Sequence, residues 1–208
     1  MKPRTQKLWA KQDQHEGDRL RLFSAVATAV DGPRVLYPGS FVDIAASFAF
    51  PSVTYVDNIR SAADFFSDHD GVHEIVATHQ IDDAAREVTF LGEDYRDDLD
   101  LDEESFDLLV SLYAGFISEH CTRYLKVGGS LLVNPSHGDA AMASIDQRYQ
   151  LAAAVTSANG IYRIRTDDLD SYLIPKKPPG PTVASLHESG RGVAYTKSPF
   201  AYLFTRVR

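Results

Sequence analysis

From Arg34 to Asn58 the chain reads RVLYPGSFVDIAASFAFPSVTYVDN, two short β-rich apolar runs with a glycine turn and a helix-like segment between them. This constrains the fold more than any other feature of the sequence. Strands joined through a helix lie parallel, and parallel sheets are covered by helices on both faces. Nucleotide-binding units begin in this way, yet the Gly-x-Gly-x-x-Gly fingerprint of dinucleotide sites is absent: Ser40, Phe41, Val42 and Asp43 follow the single Gly39.

The rest of the chain continues the alternation. Leu20, Phe23, Val26, Ala27 and Val30 repeat at helical spacing before the punctuation Asp31-Gly32-Pro33, so a helix is expected to end near Asp31. The first strand covers Arg34 to Tyr37. Ser40 and Asp43 have capping-box spacing, which predicts a helix opening there and running toward Phe48. The second strand is Val53 to Val56, and EVTFLG, FDLLVSL and GSLLVN are three more. Ile117, Cys121, Tyr124 and Leu125 share a helical face. A longer helix is expected from Asp139 to Ala158, with Met142, Ile145, Tyr149 and Ala152 inward and Asn159-Gly160 as its stop. IYRIR alternates as a strand, KKPPGP is an extended connection, and FAYLFTRV, apolar on both faces, suits a strand inside a sheet. The order predicts an α/β, doubly wound, mostly parallel sheet with helices on both faces.

At 208 residues the chain suits one domain, a helical extension over 1–33 and a core over 34–208. The apolar fraction of 44% and charged fraction of 24% are those of an ordinary soluble protein. No apolar run is long enough to span a membrane, and the polar N-terminus lacks a signal peptide's apolar core. With Cys121 as its one cysteine, the chain fits a reducing cytoplasm. The formal charge of −8 lies entirely within Glu93–Asp107, nine acids and Arg96. That run reads as a solvated face; a calcium loop from Asp98 is excluded because Glu103 and Leu109 stand where it needs glycine and glutamate. No metal site is expected.

Ligands of such sheets bind beyond the carboxyl ends of the strands. The series VLYPGS, VTYVDN, FLGEDYRD, FDLLVSLY and YLKVGGSLLV, from about Arg34 to Arg208, resembles the class I S-adenosylmethionine-dependent methyltransferases. YLKVGGSLLV is the most specific piece, close to that family's approach to its fifth strand. The resemblance implies a seven-stranded Rossmann-like sheet whose last strand is antiparallel, with IYRIR and AYLFTRV as strands six and seven. It implies S-adenosylmethionine as cofactor: Asp57, beside Asn58, on the ribose hydroxyls, Glu93 or Asp94 on the adenine amino group, and Gly39 against the methionine part.

The sequence departs from the family where an acid usually ends the first strand: Tyr37 stands there, followed by Pro38. Phe41 and Asp43 replace the later loop glycines. Asp43 either fixes the amino end of the cofactor or only caps a helix with Ser40. After strands four and five, Tyr113 and His137 are candidate acceptor-side groups, each a possible base; Tyr113 has the alternative of a half-buried aromatic and His137 that of a helix cap. Trp9 reads as a packing anchor. The Asn134-Pro135-Ser136-His137 element is misplaced for a base-flipping enzyme and there is no basic stripe, so nucleic acid is not an expected substrate. The expected function is methyl transfer to a small molecule, ahead of a protein side chain. The alternative is a methyltransferase-like binding or regulatory module without chemistry. A nicotinamide dehydrogenase would need the missing glycines.

Overall fold

The alternation of apolar runs and helical segments closes into one sheet in the computed structural model, which describes residues 1–208. Its strands are β1 (Arg34–Pro38), β2 (Ser52–Val56), β3 (Glu87–Leu91), β4 (Phe106–Ser111), β5 (Leu125–Val133), β6 (Tyr149–Ala158), β7 (Ile161–Arg165) and β8 (Ala201–Arg206). They lie in the order β3-β2-β1-β4-β5-β8-β6-β7. β1 to β5 pair in parallel, β8 runs antiparallel between β5 and β6, and β7 is an antiparallel edge. The helices are α1 (Pro3–Gln12), α2 (Asp18–Ala27), α3 (Ala46–Ala49), α4 (Arg60–Phe66), α5 (His69–His79), α6 (Ile117–Cys121), α7 (Asp139–Ile145) and α8 (Val183–Ser189).

Both faces of the sheet are buried, as the doubly apolar strands require. Val35 and Tyr37 of β1 join Val53, Tyr55 and Val110 in one core, while Leu36 between them joins Leu109, Leu131 and Val133 in the other. The period of two along each strand thus feeds two cores at once. Leu22, Phe23 and Val26 of α2 are fully buried in the first core, each contributing roughly 1.5–3 kcal/mol. The N-terminal helices are therefore part of the packing. Trp9 sets its ring edge-on to Phe48 at 5.6 Å and to His79 at 5.7 Å, which is the packing role expected of it.

Three sequence expectations change. The helix foreseen over Asp139–Ala158 ends at Ile145, and Tyr149–Ala158 is β6. This alanine-rich stretch has helical propensity, but β8 on one side and β7 on the other supply a full set of ladder partners, and tertiary pairing overrides the local preference. Ala152, expected inward, is exposed at the irregularity in the β6–β8 register. Asn159 and Gly160, read as a helix stop, have φ of 53° and 71° and form the tight turn of the β6–β7 hairpin. The family's sixth strand is therefore matched by β6, and IYRIR becomes an eighth strand at the edge.

The helix foreseen from Ser40 is also absent. Residues 40–45 form turns, and the helix is the single turn α3. The capping box does not form: Ser40 Oγ has no hydrogen-bond partner, and the Asp43 carboxylate is held instead by the Tyr37 hydroxyl at 3.0 Å, the Arg19 guanidinium at 3.2 Å and the Ala45 N–H at 3.3 Å. Lastly, α2 stops at Ala27 rather than near Asp31, with Thr28 donating from Oγ1 to the Ala25 carbonyl.

Candidate functional site

The carboxyl ends of β1, β2, β3 and β4 open onto a run of three adjoining cavities. The first, about 480 Å³, lies over β2 and β3 and is lined by Asp57, Asn58, Glu93 and Asp94. The second, about 210 Å³, lies over β1 and is lined by Tyr37, Gly39, Ser40 and Asp43, with Arg19 above. The third, about 330 Å³, is roofed by the α1–α2 turn and walled by Phe41, Tyr113 and Phe200. Phe41 and Tyr113 line all three. Every cofactor-side residue singled out in the sequence reaches this cleft.

The loop after β1 is shaped for close approach. Gly39 has φ of 65°, and a Cβ there would meet the Ala114 Cβ at 2.7 Å. Two residues on, Phe41 takes a glycine-like φ of 51° although it carries a ring. Its N–H donates to Asp57 Oδ2 at 2.8 Å, which holds the strained turn. The other Asp57 oxygen accepts from the Ile59 N–H at 2.8 Å. A carboxylate has about four acceptor sites, so two remain for a ligand.

Asp94 is committed differently. Arg96 donates to both its oxygens, from Nε at 2.9 Å and from a terminal nitrogen at 2.5 Å, and Asn58 Nδ2 adds a bond at 3.1 Å. The Arg96 side chain, with its backbone N–H, holds the Asp94 carboxyl at about 2, below the usual carboxylate range. Of the two acids after β3, Glu93 is the one without such a clamp.

At the other end the groups come from distant parts of the chain. Asp43 is 3% exposed. Burial pushes its carboxyl up from the usual range, and Arg19, the Ala45 N–H and the Tyr37 hydroxyl pull it back. Burial and the neighbouring Asp43 carboxylate push the Tyr37 hydroxyl well above its usual value, so it stays a protonated donor. The Arg19 guanidinium lies 5.0 Å from the Tyr113 ring centroid and 5.8 Å from that of Phe200. Tyr113 has φ of 57°, and its N–H is held by Asn134 Oδ1 at 3.2 Å.

His137 is not brought to the cleft. It is exposed, bonds through Nδ1 to Ser136 Oγ at 2.8 Å, and lines none of the three cavities. Ser136 in turn donates to Asn134, so this loop supports Tyr113 from behind. Sequence reasoning missed Arg19, Lys11, His15 and Phe200. No local motif marks them, since only the docking of α1 and α2 and the insertion of β8 bring them to the site.

The residues fit the group that the sequence resemblance implies. Ser40 Oγ is buried without a hydrogen-bond partner in the second cavity, where an amino acid's polar end would meet it.

No protein-family model matches the sequence, and no curated protein matches it. Solved structures do. A methyltransferase from Thermotoga maritima, described as a possible histamine N-methyltransferase, is 11% identical and superposes with a TM-score of 0.53 over 97% of this chain and 95% of its own. A S-adenosylmethionine-dependent methyltransferase from Methanosarcina mazei is 13% identical, with a TM-score of 0.46 over 88% and 97% of the two chains. The cyclase SpnF is 21% identical with a TM-score of 0.42 over 58% of this chain, which spans only 45% of the cyclase's length. The strand order, the antiparallel β8 inserted beside β5 and the near-complete overlap with the Thermotoga protein identify the fold as that of the class I S-adenosylmethionine-dependent methyltransferases.

Proposed function

We propose that the chain binds S-adenosylmethionine and transfers its methyl group to a small molecule. The observation that carries this reading is that three neighbouring cavities share Phe41 and Tyr113 in their linings: a polar one for a nucleoside, a smaller one for an amino acid and a third for an acceptor. In this reading Asp57 and Asn58 hold the ribose, Glu93 meets the adenine edge, and Gly39, Ser40, Asp43 and Tyr37 hold the methionine part. Asp94 belongs to this end through its bonds to Asn58 and Arg96.

Bound S-adenosylmethionine would supply an electrophilic methyl group on a sulfonium sulfur, with the sulfur as the leaving group. The chain's own task is alignment, which calls for rigid walls. Phe41 and Tyr113, held by Asp57 and Asn134, are such walls. An acceptor proton would pass to Tyr113 or to water, Tyr113 being the candidate base that lines the cleft. His137 has no part in it.

Calorimetry with S-adenosylhomocysteine tests the reading: saturable binding is expected, with a thermal shift of several degrees at about a hundred times Kd. Absence of binding by folded protein would overturn it. A second reading, a binding module that kept the fold and lost the chemistry, draws on the closed bonding of Asp94 and the ring of Phe41 in a glycine's place. Cofactor binding without turnover of any acceptor tried would favour it.

A further inference from the structure

Phe41 and Tyr113 are the only residues that line all three cavities of the cleft. On the reading above, which this inference presupposes, the nucleoside lies in the first cavity, the amino acid in the second and the acceptor in the third. The sulfonium sulfur of the cofactor carries one arm toward each: C5′ of the nucleoside, the methionine side chain and the methyl group. A centre with an arm in every cavity lies beside the residues common to their linings, which are these two rings.

The rings are not equivalent. Tyr113 already carries a cation, the Arg19 guanidinium 5.0 Å from its ring centroid, and the same group lies 5.8 Å from that of Phe200. Tyr37 packs against Phe23 and Tyr55, and Tyr95 against His120. Of the rings in this cleft, Phe41 alone has neither an aromatic nor a cationic partner; part of it rests on the first core and the rest lines the cavities. Its backbone is held at φ of 51°, a value that a phenylalanine rarely takes, by the N–H bond of 2.8 Å to Asp57. A ring kept against its backbone preference, where the resembled family places a glycine, points to a task for the ring.

The charges around it tolerate a cation. In the first cavity Asp57, Glu93 and Asp94 face only Arg96, while the second holds the Arg19–Asp43 pair. The third is balanced, with Lys11 and Arg19 against Asp13 and Asp18. Taken together the acids outnumber the bases.

We propose that the open face of Phe41 meets the sulfonium centre in a cation–π contact, so that the site selects the charged cofactor over neutral S-adenosylhomocysteine. The hold of the ring ends when the methyl passes to the acceptor and the sulfur keeps the bonding pair, since the charge is then gone. Phe41 is a specificity residue and not an accelerator, because a contact stronger in the reactants than in the transition state does not speed transfer.

Calorimetry on the full chain with S-adenosylmethionine, sinefungin and S-adenosylhomocysteine tests this; sinefungin carries an ammonium group where the first has its sulfonium. The two cations should bind about three- to tenfold more tightly than the neutral thioether. Phe41→Leu keeps apolar bulk and removes the π face without altering any charge. The preference should vanish in it, with S-adenosylhomocysteine affinity staying within about threefold of the parent. Glycine takes a φ of 51° freely, so Phe41→Gly covers the case in which leucine is not tolerated at this turn, and the same loss of preference is expected. Equal affinity for all three ligands in the parent, or a preference that survives both substitutions, would overturn the proposal. The two readings fail distinguishably. No binding of any of the three by folded protein removes the methyltransferase reading and this inference with it, whereas binding of all three without a charge preference removes this inference alone.

Discussion

The two ends of the cleft are built from different kinds of parts. Over β2 and β3, Asp57, Asn58, Glu93 and Asp94 each follow the end of a strand, and their bonds run to Ile59 and Arg96 close by, to one another and to the loop after β1. Over β1 and β4 the parts come from across the chain: Arg19 from α2, Asp43 from the loop after β1, Tyr113 from the loop after β4 and Phe200 from just before β8. The first end is a property of the sheet. The second exists only once α2 has docked, so ligand binding there and packing of the N-terminal helices draw on the same side chains. It follows that a conservative substitution at the first end should separate affinity from stability, while none at the second should.

The largest effect is expected at the buried pair. Asp43→Ala leaves Arg19 at 19% side-chain exposure without its counter-charge, a change that costs about 3–5 kcal/mol when one partner of a buried pair is removed. For a domain this size that lowers Tm by about 10 °C. Replacing both partners, as in Arg19→Met with Asp43→Asn, should cost clearly less than the single change. Chemical denaturation of the two variants checks this, and equal losses would mean that the pair is not what anchors α2.

Asp57 comes next and breaks the comparison if it behaves like Asp43. Its carboxylate is 6% exposed, yet it holds the Phe41 and Ile59 N–H groups and keeps acceptor sites to spare. Asp57→Ala should therefore lower stability by about 1.5–3 kcal/mol and weaken S-adenosylhomocysteine by tenfold or more. Asp57→Asn keeps an acceptor for one loop N–H, so it should recover part of the stability while binding stays weak. Parallel calorimetry and denaturation decide, and recovery of both together would make Asp57 a purely structural residue.

A third effect lies beneath the second end. Asp139 is buried where Ser111 of β4 and Ser118 of α6 donate to it. Burial pushes its carboxyl up to about 6 despite those bonds. A carboxyl whose pKa is raised in the folded state favours folding below the unfolded value near 3.8, and that contribution is lost as pH rises through about 6. Asp139→Asn removes the titration. Its stability relative to the parent should improve by about 2 kcal/mol between pH 4.5 and 7.5. A pH-independent difference would show that Asp139 titrates as an ordinary exposed acid.

The same contrast explains how far the sequence could be read. Strands β1 to β5 and the acids that follow them were legible because an apolar run ending in a turn is a local pattern, and in a parallel sheet every such end falls on one edge. The pair of Arg19 and Asp43 was not, since 24 residues and a helix–strand junction separate them. Tyr149–Ala158 was misread because alanine leaves the choice of strand or helix to its neighbours, and those neighbours, β7 and β8, follow it in sequence. His137 follows β5 as the sequence implies, and its bond to Ser136, which in turn bonds Asn134, sets the imidazole outside the three cavities.

The smallest expected effect concerns Arg96, and it sharpens the account of the first end. Arg96 is 63% exposed and its partner Asp94 18%, so their ion pair is a solvent-screened surface interaction that adds little to stability. Arg96→Ala should leave stability at pH 7 nearly unchanged. Because the pair depresses the Asp94 carboxyl, its contribution is present above pH 4 and lost as pH falls toward 2, so the variant should differ from the parent least at the acid end. The informative readout is affinity. Arg96 occupies acceptor sites on both Asp94 oxygens, and its removal frees them while leaving Glu93 untouched. If Asp94 meets the adenine amino group, S-adenosylhomocysteine should bind a few-fold more tightly to Arg96→Ala, and Asp94→Asn should cancel the gain. If Glu93 has that role, affinity should stay unchanged in Arg96→Ala and fall in Glu93→Gln, and the clamp on Asp94 would then serve only to order the loop after β3.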